Sequence, residues 1–247
     1  MNMKRILVVN PICSTEFDEK DRSILSKAAP PGFEVYVVSL EYGPQTIESY
    51  YDDMLASPFV VKSILEGEKK GCNAAMINCF MDPGLKAARE VASIPVVGAG
   101  ESAVMTAILI GDSFGIVDVG PEPISKNTPP PFIRELGLAS RFAGIKGTGI
   151  PVHALLHDKG KVMSSLKEAA NSLLRNGADV IVLGCTGLIG MAKELSEEIG
   201  VPVVDPAISA LNMVVALVNM DLRQSRRSYM TPPPKIRKLP EGLDLKI

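Results

Sequence analysis

Residues 71–98 read GCNAAMINCFMDPGLKAAREVASIPVVG, and residues 177–205 read GADVIVLGCTGLIGMAKELSEEIGVPVVD. Each stretch opens on a glycine, continues into a short apolar run and reaches a cysteine eight residues on, at Cys79 and Cys185. Each then passes through a helix-like segment to a second apolar run, Ile94-Pro95-Val96-Val97 or Val201-Pro202-Val203-Val204. The cysteines are 106 positions apart (185 − 79) and the prolines 107 (202 − 95). Apolar runs without alternation, separated by helical segments, are the pattern of a buried parallel sheet. The chain therefore holds this unit twice, with one cysteine in each copy.

The duplication extends outward. Residues 4–9 (KRILVV) read as strand one, and its counterpart at residues 114–119 begins 110 positions later (114 − 4). A helix capped by Ser14 or Thr15 should follow strand one and stop at Pro30-Pro31-Gly32. Residues 33–40 read as strand two, matched by residues 141–148 at an offset of 108 (141 − 33). Helices are expected at residues 45–55 and, beyond a break at Pro58, up to about residue 70. Strands at 74–78 and 94–97 frame a helix opened by Asp82-Pro83, and an apolar helix covers 101–110. The second half should carry a loop at 120–131 and helices at 132–136, 161–176, 188–199 and 207–219. Its third and fourth strands fall at 180–183 and 201–204. From Arg223 the chain is basic and Pro-rich and reads as an extended surface segment.

The predicted fold is thus α/β, with two pseudo-symmetric flavodoxin-like lobes. Each is a four-stranded parallel sheet with helices on both faces and right-handed crossovers. Lobe one comprises residues 1–98 and 207–247, lobe two residues 99–206, with an active site expected in the cleft between them.

Composition narrows the function. The chain has 247 residues, 46% of them apolar and 22% charged, which argues for a packed core. The formal net charge of −2 and the lack of a long basic run argue against nucleic acid as a partner. No apolar segment approaches the ~18 residues of a membrane span. The run at residues 6–9 is too short for a signal-peptide core, so a cytoplasmic protein with reduced thiols is expected. The four cysteines and two histidines lack metal-site spacing, so no metal is expected.

In open parallel sheets ligands bind beyond the carboxyl ends of the strands. Those ends carry Asn10, Tyr42-Gly43-Pro44, Cys79 and Phe80 in the first half. In the second they carry Asp118, Thr148, Cys185, Thr186, Gly187 and Asp205. A lone cysteine after a strand is most often a small buried hydrophobe. Two at matching repeat positions point instead to paired chemistry. Placed at helix starts, both would gain thiolate character from backbone N–H groups and the helix dipole. A thiolate and a thiol flanking one carbon can remove a proton from one face and return one to the other, with no cofactor. The intermediate enolate needs donors, for which Asn10 and the N–H groups near Phe80 and Thr186 are candidates. Cys72, Cys13, His153 and His157 read as structural or surface residues.

Several segments together resemble the hydantoin racemases, including allantoin racemases, of the aspartate/glutamate racemase superfamily. Residues 43–53 (GPQTIESYYDD) resemble that family's GP-x-SIE-x-x-YDE, and residues 79–90 (CFMDPGLKAARE) its CFGDPGL-x-AARE. Gly184-Cys185-Thr186-Gly187-Leu188 matches its second cysteine motif, and residues 229–233 (YMTPP) its C-terminal YAPP. The resemblance spans nearly the whole chain. It implies cofactor-independent racemisation at C5 of a 5-substituted hydantoin, Cys79 and Cys185 as acid/base residues, two lobes, a small-molecule substrate and a homo-oligomer.

The chain departs from the family pattern at two strand ends. Asn10-Pro11-Ile12-Cys13 stands where the family has NPNT, and Val117-Asp118-Val119-Gly120 where it has hydroxyl residues after the strand. Amino-acid racemases of the superfamily follow the second cysteine with Thr-His, whereas here it is Thr186-Gly187. The alternatives are an amino-acid racemase, a maleate-type isomerase or an arylmalonate-type decarboxylase on the same fold. The last resembles the superfamily with the second cysteine alone. A non-catalytic metabolite-binding protein is the remaining alternative, against which the paired cysteines argue.

Overall fold

The structure is a computed structural model that describes residues 3–121 and 128–238. The middle of the loop expected at residues 120–131 and the last part of the basic tail lie outside the described residues. The chain folds into two compact units, Met1–Ala99 with Ala210–Ile247, and Gly100–Ser209.

The first unit is built on a four-stranded parallel sheet of order β2-β1-β3-β4. Its strands are β1 (Lys4–Asn10), β2 (Phe33–Ser39), β3 (Ala74–Ile77) and β4 (Val96–Gly98). Leu7, Val9, Ala75 and Ile77 turn to one face, where they meet Val60, Val61 and Ile64 of α2 (Tyr50–Lys69) and Leu85 and Ala88 of α3 (Leu85–Val91). Helix α1 (Asp18–Ala28) packs against β2 and fully buries Leu25.

Three expectations for this unit need correction. Helix α1 starts at Asp18, with Phe17 at its cap and no side-chain cap bond. Ser14 and Thr15 instead shape the turn before it: Ser14 Oγ accepts from Glu16 N, and Thr15 O from Asp18 N. Second, α2 is one helix that runs straight through Pro58. Burying Val60, Val61 and Ile64 contributes about 1.5–3 kcal/mol each. That outweighs the ~3 kcal/mol that an interior proline costs. Ser49 caps this helix by accepting from Asp52 N. Third, Asp82-Pro83 precedes α3 rather than opening it. Asp82 is left-handed (φ 53°), and the helix begins after Gly84 at Leu85.

The second unit has a sheet of order β6-β5-β7-β8, the order of the first sheet repeated. Its strands are β5 (Phe114–Asp118), β6 (Phe142–Gly147), β7 (Val180–Leu183) and β8 (Val203–Val204). Helix α6 (Lys159–Arg175) buries Val162, Met163, Leu166, Ala169, Ala170 and Leu173, one stripe of a 3.6-residue period. Asp158 caps it by accepting from Lys161 N. The helix expected at residues 188–199 is shorter: a 3₁₀ turn at Thr186–Leu188 comes first, and α7 is Ala192–Ile199. The other α-helices among the described residues are α4 (Ala99–Ile110), α5 (Pro131–Glu135) and α8 (Pro206–Asn219).

Residues 224–229 do not lie loose on the surface. Gln224 Nε2 donates to Ala92 O and Ile94 O, and its Oε1 accepts from Val96 N. Arg226 donates to the carbonyls of Arg89, Glu90 and Ala92, and Arg89 sits over the Tyr229 ring. The segment thereby covers β4, an edge strand of its sheet.

Candidate active site

In both sheets the strand order reverses at one place, between β1 and β3 and between β5 and β7. That is the switch point at which open α/β sheets bind ligands. The register pairs Val9 with Ile77 and Val117 with Leu183. Two residues beyond Ile77 is Cys79, and two beyond Leu183 is Cys185. Each cysteine thus stands at the same register position of its own sheet, just past the switch point. Both are half-buried, and neither is in a disulfide.

Neither thiol sits at the start of an α-helix. Cys79 enters a turn closed by Asp82 N donating to Cys79 O at 3.1 Å, and α3 begins only at Leu85. Cys185 is extended (φ −145°, ψ 132°) and caps the 3₁₀ turn, with Leu188 N donating to Cys185 O at 3.2 Å. Helix α7 begins at Ala192. Neither cysteine therefore stands at the α-helix start expected for it. Short turns set both thiols, because Asp82 with Gly84 and Ile189 with Gly190 interrupt the helical path.

Two close approaches hold these turns. A Cβ on Gly98 would fall 2.2 Å from Asp82 Cγ, so the Asp82 side chain lies directly over the end of β4. A Cβ on Gly184 would come within 3.0 Å of Asp118 Oδ1 and 3.1 Å of Asp118 Cα. Glycine at both places lets a carboxylate cross the strand that leads to, or neighbours, the cysteine strand.

The register also matches Asn10 with Asp118 and Asn78 with Gly184, one position beyond the paired residues. Asn10 was expected to hold substrate, but its amide is otherwise engaged. It is 3% exposed. Its Nδ2 donates to Asp18 Oδ1 at 2.8 Å and Asp21 Oδ2 at 3.0 Å, and its Oδ1 accepts from Asn78 Nδ2 at 2.8 Å. Asn10 is part of a buried polar network, with both amide hydrogens used. Sequence reading missed Asp18, Asp21 and Asn78. The signal available was two carboxylates at i, i+3 on the helix that follows a strand ending in asparagine.

The remaining expected residues fall into loops laced in pairs. Cys13 N donates to Pro44 O and Leu40 N to Ile12 O, which ties the β1 loop to the β2 loop. Tyr42 and Gly43 are exposed there, and Phe80 is buried. In the second unit Thr148 N donates to Asp118 O, Gly120 N to Ile150 O and Gly149 N to Gly120 O. Asp118 Oδ1 accepts from Val119 N at 2.8 Å, and Thr148 Oγ1 accepts from Ile150 N at 3.3 Å. Thr186 is buried and Gly187 half-buried. Asp205 Oδ1 caps α8 through Ala207 N and Ile208 N, while its Oδ2 takes Gly190 N at 2.9 Å.

A cavity of about 460 Å³ opens elsewhere in the first unit, between β1, β2 and α2. It holds Cys72, Tyr36, Phe59 and Lys62 and contains neither Cys79 nor Asn10, so its size does not mark it as the reaction site. Burial pushes the Cys72 thiol pKa up, against the opposing pull of Arg5 and Lys70. Among the described residues no group of three or more His, Cys, Asp or Glu side chains is placed to hold a metal ion. Among them, no helix is long and apolar enough to cross a membrane.

The sequence model of the Asp/Glu/Hydantoin racemase family matches residues 6–214. The hydantoin racemase of Paenarthrobacter aurescens is 33% identical over 234 residues, 94% of this chain and 98% of that protein. The hydantoin racemase of Pseudomonas sp. (strain NS671) is 32% identical over 94% of this chain and 93% of that protein. Among solved structures, allantoin racemase from Klebsiella pneumoniae matches with a TM-score of 0.90 at 30% identity, covering 98% of this chain and 100% of that one.

Proposed function

The chain belongs to the Asp/Glu/hydantoin racemase family, and from that premise we propose that it inverts C5 of a 5-substituted hydantoin or allantoin-like ring without a cofactor. Cys79 and Cys185 are the two acid/base residues. The observation that carries the proposal is their placement: one thiol at the same register position past the switch point of each of two identically ordered sheets.

The chemistry asks each unit to deliver its thiol to one face of the same carbon. The thiolate of one cysteine takes the C5 proton, and the electron pair moves into the adjacent carbonyl to form an enolate. The thiol of the other cysteine gives its proton to the opposite face. The product is the mirror image, and the two sulfurs have exchanged roles. Backbone N–H groups in the turns at Phe80 and Thr186 are the donors we assign to the enolate oxygen. Asn10 is not among them, because its amide is committed to the buried network. Asp118, at the end of β5, favours a ring that brings N–H donors over one that brings a carboxylate. Proton transfer by a positioned group contributes about 10²–10⁴-fold, so either thiol alone should be indispensable.

The test is to incubate each enantiomer of a 5-substituted hydantoin in D2O, with a protein-free control for spontaneous exchange. Native protein should place deuterium at C5 with inversion. Cys79→Ser and Cys185→Ser should each lose inversion by at least about 10²-fold. Undiminished exchange in both variants would remove these cysteines from the mechanism. Parallel assays on aliphatic, aromatic and ureido-substituted rings then define the substituent. The same family membership underlies two further expectations. A homo-oligomer is checked by analytical ultracentrifugation, and a reducing cytoplasm, which keeps both sulfurs competent as bases, by cell fractionation.

A further inference from the structure

A carboxylate that is 2% exposed is costly unless it is well bonded, and an apolar side chain would fill the same space more cheaply. Asp21 is such a residue. Its Oδ2 accepts from Asn10 Nδ2 and from Asn78 Nδ2, both at 3.0 Å. Asn10 ends β1, and Asn78 follows β3 and immediately precedes Cys79. Asn10 and Asn78 are also joined directly at 2.8 Å. Every amide hydrogen of both asparagines is used, two from Asn10 on Asp18 and Asp21, two from Asn78 on Asn10 and Asp21. Ser39 Oγ, at the end of β2, donates to Asp18 Oδ1 at 2.7 Å and extends the network to a third strand. The result is a clamp from α1 onto the strands on either side of the switch point, closed one residue before the thiol.

The second unit is built differently. The positions that match Asn10 and Asn78 hold Asp118 and Gly184, and a glycine has no side chain to carry such a bridge. The two thiols stand at equivalent register positions, but Asn78 precedes Cys79 and Gly184 precedes Cys185.

We propose that Asp21 is a positioning residue for Cys79: through Asn78 it fixes the direction in which that thiol leaves β3, a bridge that the glycine preceding Cys185 has no side chain to repeat. The proposal rests on Cys79 being one of the two bases, but its test does not require turnover. Iodoacetamide labelling of the full-length protein is followed residue by residue with peptide fragmentation mass spectrometry, with Cys185 as the internal reference. In Asp21→Asn the loosened Cys79 should react at least about threefold faster relative to Cys185 than in the native protein. Its kcat on a 5-substituted hydantoin should fall about tenfold or more with KM within about twofold, because misplacing a reacting group taxes the chemical step while the clamp touches no substrate. If Asp21→Asn does not fold, Asn78→Ala decides by the same ratio, since it removes the link to Cys79 and leaves Asp21 bonded to Asn10. An unchanged ratio, or equal acceleration of both thiols, overturns the proposal, because a general loosening does not single out Cys79. A shifted ratio in a protein that racemises no hydantoin leaves the clamp standing and sinks the proposed reaction instead.

Discussion

Replacing Asn10 with alanine separates a substrate contact from a structural one. The change deletes three hydrogen bonds: Asn10 Nδ2 to Asp18 and Asp21, and Asn78 Nδ2 to Asn10 Oδ1. Each partner keeps a second bond. Asp18 Oδ1 retains Ser39 Oγ, while Asp21 Oδ2 and Asn78 Nδ2 retain one another. The loss is therefore at least about 1 kcal/mol per bond, roughly 3 kcal/mol together, because one buried Asn78 N–H loses its Asn10 acceptor while no charge loses all its bonds. For a chain of this size each kcal/mol moves Tm by about 2–4 °C, so a drop of about 6–12 °C is expected by circular dichroism. Asn10→Asp should be worse than alanine, because it sets a third carboxylate against Asp18 and Asp21. On a hydantoin substrate the KM of Asn10→Ala should stay within about twofold, since both amide hydrogens of the side chain are already donated to Asp18 and Asp21. A Tm within about 2 °C of native with a tenfold rise in KM would refute this account and return Asn10 to the substrate.

Three other outcomes are expected. Gly98→Ala drives a methyl into the Asp82 carboxylate and displaces that side chain from the turn behind Cys79; stability should fall by about 1–3 kcal/mol in a urea titration, and kcat should fall more than the stability loss explains. Because burial raises the Cys72 pKa, that thiol stays protonated past the pH at which an ordinary thiol ionises. Its alkylation rate should keep climbing after that of a model thiol has levelled, and a plateau at or below the model thiol's contradicts its burial. Backbone N–H groups of Ser113 and Asp112 lower the Asp179 pKa, so its contribution is complete above the usual carboxylate range and vanishes as pH falls through the folded-state value. The Tm values of native protein and Asp179→Asn should accordingly differ at neutral pH and converge in acid; a constant gap rules this out.

The sheets were legible because parallel strands write themselves as unbroken β-branched runs, and β7 falls at Val180–Leu183, as its sequence suggested. The duplication was legible because both cysteine segments repeat with nearly constant offset. Helix boundaries were not. Pro58 marks a stop in local terms, whereas the burial of Val60, Val61 and Ile64 against the sheet, which sequence alone does not display, favours α2 continuing through it. The start of α3 was misplaced because Asp82 adopts a left-handed conformation that its sequence does not announce. The strand ends that carry the two cysteines were legible, since each apolar run announces where its strand stops. Which donors there are spent was not: Asn10 looks the same in sequence whether it faces a ligand or a buried Asp21.

The first unit is discontinuous: Ala210–Ile247 belongs with Met1–Ala99, whereas Gly100–Ser209 is one uninterrupted segment. On the ribosome the second unit can close as soon as Ser209 has cleared the exit tunnel. The first must wait, with its β4 rim bare until Gln224 and Arg226 arrive. The strands made before the second unit are thus secured after it, and a nascent chain that has exposed Ser209 but not yet Gln224 should be the form most in need of a chaperone.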